Sequence, residues 1–208
     1  EEQSIWRTHP RVCTHLLING KAALFEVGIL PKFPATLSLH VPGLSYPGQT
    51  KLFYLDVENN FAEEAEFSFN LPACSFFSLQ EHLHILKLSG KERISLPLNA
   101  DLYEHGFYEA NVLVETKLAD GRAVSFAKKI GAAFTGLGAM VSGETEQAWQ
   151  VHHGRHSLYL NKEDNEMTVV GGTGGDPTTL YYPKLGKPFS SEFSKKRTEK
   201  VAFIAEKG

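Results

Sequence analysis

The sequence predicts an all-β protein, in which a β-sandwich precedes a second, smaller β-rich region. Hydrophobic residues recur with a period of two, and long helical patterns are hard to find. Turn-forming pairs, such as Pro47-Gly48 and Asp120-Gly121, separate the alternating segments at short intervals. Short strands at this spacing are typical of sandwiches and barrels.

Several segments carry this alternation, with apolar residues at every second position and polar residues between them. Such a pattern places the apolar side chains on one face of a strand. The inward-facing sets are predicted to be Phe53, Leu55 and Val57; Phe67, Phe69 and Leu71; Ile94, Leu96 and Leu98; Tyr108, Ala110, Val112 and Val114; and, after the Asp120-Gly121 turn, Val124 and Phe126. Residues 80–88 have mixed periodicity and are predicted to form a strand.

The two ends of the chain differ from the central sandwich, which is predicted over residues 35–137. Residues 12–18 and 22–27 flank Asn19-Gly20, the strongest short-range hairpin signal, and residues 28–34 read as a linker. We therefore expect an N-terminal hairpin and linker over residues 1–34. Residues 138–208 form the second region, with predicted strands at 147–151, 157–161 and 166–170. Further strands are predicted at 181–182 and 200–205, a glycine-rich loop at 171–175, and a helical turn at 191–200.

Composition limits the functional classes. The formal net charge of -3 leaves no overall nucleic-acid footprint, and no run of apolar residues is long enough for a membrane span. The two cysteines, Cys13 and Cys74, exclude a disulfide framework and lack the C-x-x-C spacing of redox or zinc sites. No cofactor is predicted. The chain begins with Glu1 and ends at Gly208, so we expect a processed protein or part of a longer one, either cytoplasmic or secreted with its signal removed.

Residues 44–134 contain a Pro-Gly turn before a strand that ends in Asn, and a Gly-x-Tyr start of a late strand. The motifs are Tyr46-Pro47-Gly48-Gln49-Thr50, Phe53-Tyr54-Leu55-Asp56-Val57-Glu58-Asn59, Ile94-Ser95-Leu96-Pro97-Leu98 and Gly106-Phe107-Tyr108-Glu109-Ala110-Asn111-Val112. In these motifs the segment resembles a bacterial immunoglobulin-like module of the fibronectin III and NEW3 type. The resemblance implies an immunoglobulin-like sandwich with an accessory or binding role, and it assigns no catalytic residue.

Histidines suggest one candidate chemistry. His82 and His84 would share a face of a strand, and His152 and His156 belong to an H-H-x-x-H run. These four residues are the candidate metal ligands of a metal-dependent hydrolase. The competing interpretation, which we favour, is histidines on the faces of sheets. His152 and His156 would share a face only on a helix, and Gly154 disfavours one.

Aromatic residues suggest a second candidate site, a stacking platform for sugar or peptide. The candidates are Tyr54, Trp149, Tyr159, Tyr181 and Tyr182. Tyr54 is the best exposed candidate on the central sandwich, because it faces away from Phe53 and Leu55. The competing interpretation is ordinary packing within sheets, which favour aromatic residues.

No catalytic motif is evident in the sequence. Residues 171–175 lack the Gly-Lys-Ser/Thr of a phosphate loop, and no G-x-S-x-G elbow occurs. We therefore expect a non-catalytic β-sandwich module of a larger protein, with a protein-interaction or scaffolding role and a protein partner or neighbouring domains. The alternatives are an accessory carbohydrate-binding module and the histidine-dependent hydrolase.

Overall fold

The computed structural model describes residues 11–28, 32–162, 166–171 and 178–180. Every regular element in these ranges is a β-strand, and all of the pairings are antiparallel. The predicted all-β class is therefore confirmed. The described residues contain no helix with the length and hydrophobicity that a membrane span requires. The chain forms two compact units, Glu1–Pro34 and Ala35–Gly208.

The first unit contains the predicted hairpin. Strands β1 (Arg11–Ile18) and β2 (Lys21–Gly28) pair along their whole lengths. Asn19 and Gly20 form the turn with φ values of 52° and 74°. Both turn positions therefore have the positive φ that a tight type I′ hairpin requires, and that Asn-Gly supplies.

The second unit begins with a sandwich of two four-stranded sheets. One sheet contains, in spatial order, β3 (Ala35–His40), β4 (Thr50–Asn59), β8 (Arg93–Leu102) and β6 (Phe77–Leu79). The facing sheet contains β10 (Ala123–Phe134), β9 (Gly106–Leu118), β5 (Ala65–Asn70) and β7 (Leu83–Leu88). The first order corresponds to immunoglobulin strands A-B-E-D, and β10-β9-β5 corresponds to G-F-C. Strand β7 is an additional edge strand, so the sandwich is immunoglobulin-like.

The sandwich core confirms most of the predicted alternation. Phe53, Leu55 and Val57 of β4 are fully buried, and they belong to the same apolar cluster as Val112 and Val114 of β9. The prediction was less accurate near strand ends and sheet edges. Ile94, Leu96 and Phe126 are only partly buried, and Val124 is 44% exposed. Val124 lies near the start of β10, an edge strand that has a neighbour on one side only within its sheet.

Two local predictions need correction. Among Asp120 and Gly121 only Gly121 has a positive φ, 87°, because the connection between β9 and β10 is longer than a two-residue turn. The Asp120 carboxylate instead accepts a hydrogen bond from the backbone of Arg122 at 3.0 Å. The strand predicted over residues 80–88 begins only at Leu83, and β6 was not predicted.

A five-stranded antiparallel sheet follows the sandwich. Its strands, in both chain and spatial order, are β11 (Met140–Glu144), β12 (Ala148–His153), β13 (His156–Asn161), β14 (Met167–Val170) and β15 (Thr178–Leu180). The predicted strands at 147–151, 157–161 and 166–170 correspond to β12, β13 and β14. Strand β11 was not predicted. The strands predicted at 181–182 and 200–205, the helical turn at 191–200 and most of the 171–175 loop lie outside the described residues. The division into 1–34, 35–137 and 138–208 stays a prediction.

Candidate binding groove

A groove of about 880 Å³ runs along β3 and β10, the neighbouring edges of the two sandwich sheets. Its lining includes five consecutive residues at β3, 37–41, and five consecutive residues of β10, 129–133. Side chains alternate between the two faces of a strand, so an uninterrupted run of lining residues indicates that the groove follows the strand edges.

The five-stranded sheet supplies a further wall of this groove. Gln150 and His152 of β12 line it, together with Ser157 and Tyr159 of β13. Gln150 lies opposite Tyr159 in the register, and His152 lies opposite Ser157. Residues that are directly opposite in an antiparallel pair share a face, so these four side chains form one surface.

Strand β3 presents an open edge to the groove. Within the described part of the chain it pairs only with β4, so its other edge has no neighbouring strand. An open edge is a row of backbone donors and acceptors that can pair with another extended chain.

Two glycines allow the five-stranded sheet to approach the sandwich closely. A Cβ added to Gly143 of β11 would overlap the ring of Phe107, and one added to Gly131 would lie 2.8 Å from the same ring. The Phe107 ring also lies 6.0 Å from the His152 ring. Phe107 of β9 is therefore a central contact between the sandwich and the five-stranded sheet.

His152 is the buried polar centre of the groove wall, with only 8% of its surface exposed. Its Nδ1 lies 2.8 Å from the Ser157 hydroxyl, and its Nε2 lies 3.1 Å from Oε1 of Gln150. Since the Gln150 oxygen can only accept, Nε2 is the donor and Nδ1 accepts from Ser157. Burial lowers the pKa of His152 to about 4, so the ring is neutral near pH 7.

Ion pairs connect the same sheet to the sandwich. Lys129 of β10 pairs with Glu144 of β11, and it lies 3.5 Å from a carboxylate oxygen of Glu109. Lys162 lies 3.1 Å from the other carboxylate oxygen of Glu144. The hydrogen bonds from Lys129 and Lys162 hold the pKa of Glu144 below its ordinary value. The charge of Lys129 is therefore compensated inside the protein.

Arg155 lies at the tip of the turn between β12 and β13 and also lines the groove. Gly154 precedes it with a φ of 58°, which is suited to the first central position of a type II′ turn. The Arg155 side chain is exposed. No hydrogen bond or ion pair joins it to any residue that the structure describes.

The predicted aromatic residues lie on different surfaces. Tyr159 lines the groove, whereas Trp149 faces the other side of its sheet and stacks with the Lys162 ammonium group at 5.0 Å. Tyr54 lies on the outer face of β4, where its ring is 6.4 Å from that of His40. Tyr181 and Tyr182, the remaining candidates, lie outside the described residues. A platform formed by all five stays a prediction.

The predicted histidines do not form a ligand set among the described residues, where no group of three or more potential metal ligands comes together. His84 is buried against Phe69, with ring centroids 5.5 Å apart. His82 precedes β7 and uses Nδ1 for a 2.9 Å hydrogen bond with a backbone carbonyl. His156 lies opposite His153 in the register, on the other face of the hairpin from His152. The metal and carbohydrate alternatives remain predictions from the sequence alone.

A second surface, on the outer face of the sandwich, is apolar but less enclosed. Leu83, Ile85 and Leu113 are each more than half exposed there. The depression beside Leu83 and Leu113 has a volume of about 440 Å³, half that of the groove along β3. Binding sites of proteins are usually concave, with a few converging polar groups, so the groove is a better candidate binding site than this outer surface.

Comparison with known proteins adds little to this geometry. No protein-family model matches the chain. No curated protein matches it either. Among solved structures, an ASH / PapD-like domain of human CEP192 (PapD-like domain 7) is similar at 16% identity, with a TM-score of 0.33, over 51% of this chain and 91% of that one. The immunoglobulin-like assignment therefore rests on the strand order of the chain itself.

Proposed function

We propose that this chain is a non-catalytic, protein-binding immunoglobulin-like module of a larger protein, and that its groove accepts an extended segment of a partner. The observation that supports this is the open edge of β3, which lies inside a groove rather than on a convex surface. The resemblance to fibronectin III and NEW3 modules belongs to the same proposal, as does a scaffolding role towards neighbouring domains.

The partner segment would add to the sheet as a strand beside β3. In this mode, hydrogen bonds between the main chains provide affinity, and alternate side chains of the segment enter pockets that provide specificity. Tyr159 on the five-stranded sheet and Tyr46 beside β3 line the groove and supply aromatic surface for those side chains. Tyr46 is 48% exposed, so a bound segment would have room to cover it.

Selection from a displayed library of random linear peptides, on the purified chain, tests the proposal. Binding of the selected peptides is then measured to the wild type, to Tyr46→Ala and to Tyr103→Ala. Tyr103 is a matched control, because it is 58% exposed and does not line the groove. We expect Tyr46→Ala to weaken binding about tenfold, the loss typical of an aromatic anchor, and Tyr103→Ala to leave it unchanged.

Two results would overturn the proposal. One is a selection that yields no peptide sensitive to Tyr46→Ala. The other is a set of peptides that Tyr46→Ala and Tyr103→Ala weaken to the same extent, since this would indicate non-specific contact with exposed aromatic surface.

A further inference from the structure

From the charges that line the groove, we infer that the partner segment carries a carboxylate side chain, and that Arg155 binds it. This inference rests on the proposed function and specifies the chemistry of the partner. It commits to an acidic extended peptide, because β3 offers backbone pairing and the groove offers an uncompensated cation.

The charged side chains that line the groove have one sign. Lys129 and Arg155 line it as cations, and His40 and His152 add imidazole rings. Among the described residues that line the groove there is no aspartate or glutamate. An acidic side chain entering the groove would therefore meet no like charge on its lining, whereas a basic side chain would meet no carboxylate there.

Of the two cations that line the groove, only Arg155 keeps its charge available within the described part of the chain. Lys129 is held between Glu144 and Glu109, so its ammonium group is already neutralised. Arg155 has neither an ion pair nor a hydrogen bond there. Its position at the tip of the β12–β13 turn leaves the guanidinium accessible from solvent.

The guanidinium of Arg155 suits a carboxylate in particular. Its planar array of N–H donors matches the two oxygens of Asp or Glu in a bidentate pair. A nucleic acid would require several cations that neutralise successive phosphates, and the groove supplies one uncompensated arginine. The net charge of -3 also disfavours a polyanion.

Matched peptides test the inference. A groove-binding peptide from the selection above is synthesised with Glu, Gln or Lys at each side-chain position in turn, and binding is measured by fluorescence anisotropy. The proteins are the wild type, Arg155→Gln, Arg155→Glu and the control Arg122→Gln. Arg122 is exposed in the β9–β10 turn, where it pairs with Asp120 and Glu63 and does not line the groove.

At one position we expect the wild type to bind the Glu peptide about fivefold more tightly than the Gln peptide, as for an exposed ion pair. Arg155→Gln should abolish this preference, Arg155→Glu should reverse it towards Lys, and Arg122→Gln should preserve it. The preference should fade near 1 M salt, where the screening length is only about 3 Å.

The possible failures are distinguishable. Peptides that bind in the groove, as judged by Tyr46→Ala, but prefer Glu at no position would overturn the acidic partner and leave the proposed function standing. A preference for Glu that survives Arg155→Gln would overturn the assignment to Arg155. Failure of every peptide to depend on Tyr46 would overturn the proposed function, and the inference with it.

Discussion

Lowering the pH should destabilise the protein through His152. The folded state holds this ring neutral, with a pKa of about 4, whereas the unfolded chain has the ordinary histidine pKa of about 6.5. Between these values the unfolded chain binds a proton that the folded protein does not, so falling pH favours unfolding. The free energy of unfolding is therefore unaffected by the titration of His152 above about pH 6.5, and it falls progressively as the pH drops from there to about pH 4. From about pH 7 to about pH 5, the free energy of unfolding should fall by about 2 kcal/mol through this residue.

Urea denaturation followed by circular dichroism, at several pH values, measures this change. His152→Gln is the reference, since glutamine keeps hydrogen-bonding capacity towards Ser157 and Gln150 but does not titrate. Other groups that titrate, such as Glu144, are common to both proteins, and their contributions cancel in the difference. The wild type should lose about 2 kcal/mol more than His152→Gln. Equal pH dependence in the two proteins would refute the burial and neutrality that we assign to His152.

Three further substitutions test the packing that shapes the groove and its support. Asn59 is fully buried and donates to three backbone carbonyl groups at 2.9 to 3.1 Å. Asn59→Leu should therefore lower the free energy of unfolding, measured by urea denaturation, by about 3 kcal/mol. An unchanged denaturation midpoint would contradict this. Gly143→Ala should lower the free energy of unfolding by about 2 kcal/mol in the same assay, because the new methyl group overlaps the Phe107 ring. Full stability of this variant would show that the five-stranded sheet and the sandwich do not meet at Phe107. Tyr108→Phe should lower the free energy of unfolding by only about 1 kcal/mol, because it removes a single 2.8 Å hydrogen bond to the carbonyl of Pro72. A loss above about 3 kcal/mol would contradict this and indicate a larger role for the hydroxyl.

The sandwich core was predictable because burial in a strand follows a local rule. Phe53, Leu55 and Val57 face inward simply because they alternate with polar neighbours, and the facing Val112 obeys the same rule. The N-terminal hairpin was predictable for a similar reason, since positive φ at Asn19 and the next residue is a property of those residues themselves.

The groove was not predictable, because it depends on how distant segments meet. Strand β11 was missed since Gly143 interrupts its pattern, and the reason for that glycine is the ring of Phe107, 36 positions earlier in the chain. Among the described aromatic candidates, Tyr159 lines the groove, but nothing in the local sequence distinguishes it from Trp149, which faces the other side of the sheet.

Arg155 was also missed, although the sequence contained a signal for it. Gly154 and Arg155 lie between the predicted strands 147–151 and 157–161, and a Gly-X pair between two strands is typical of a type II′ hairpin turn. That signal places Arg155 on a turn, but its position in the groove follows only from the packing of the five-stranded sheet against β10.

Hydrogen exchange with and without a bound groove peptide tests the central claim most directly. If the peptide adds to the sheet as a strand, the backbone amides of β3 (Ala35–His40) should exchange more slowly in the complex. Strand β7 (Leu83–Leu88) is an edge strand of the facing sheet and does not line the groove, so it serves as the internal control. The exchange rates of its amides should be unchanged. Protection of β7 in place of β3, or tight binding with no protection of β3, would contradict the account.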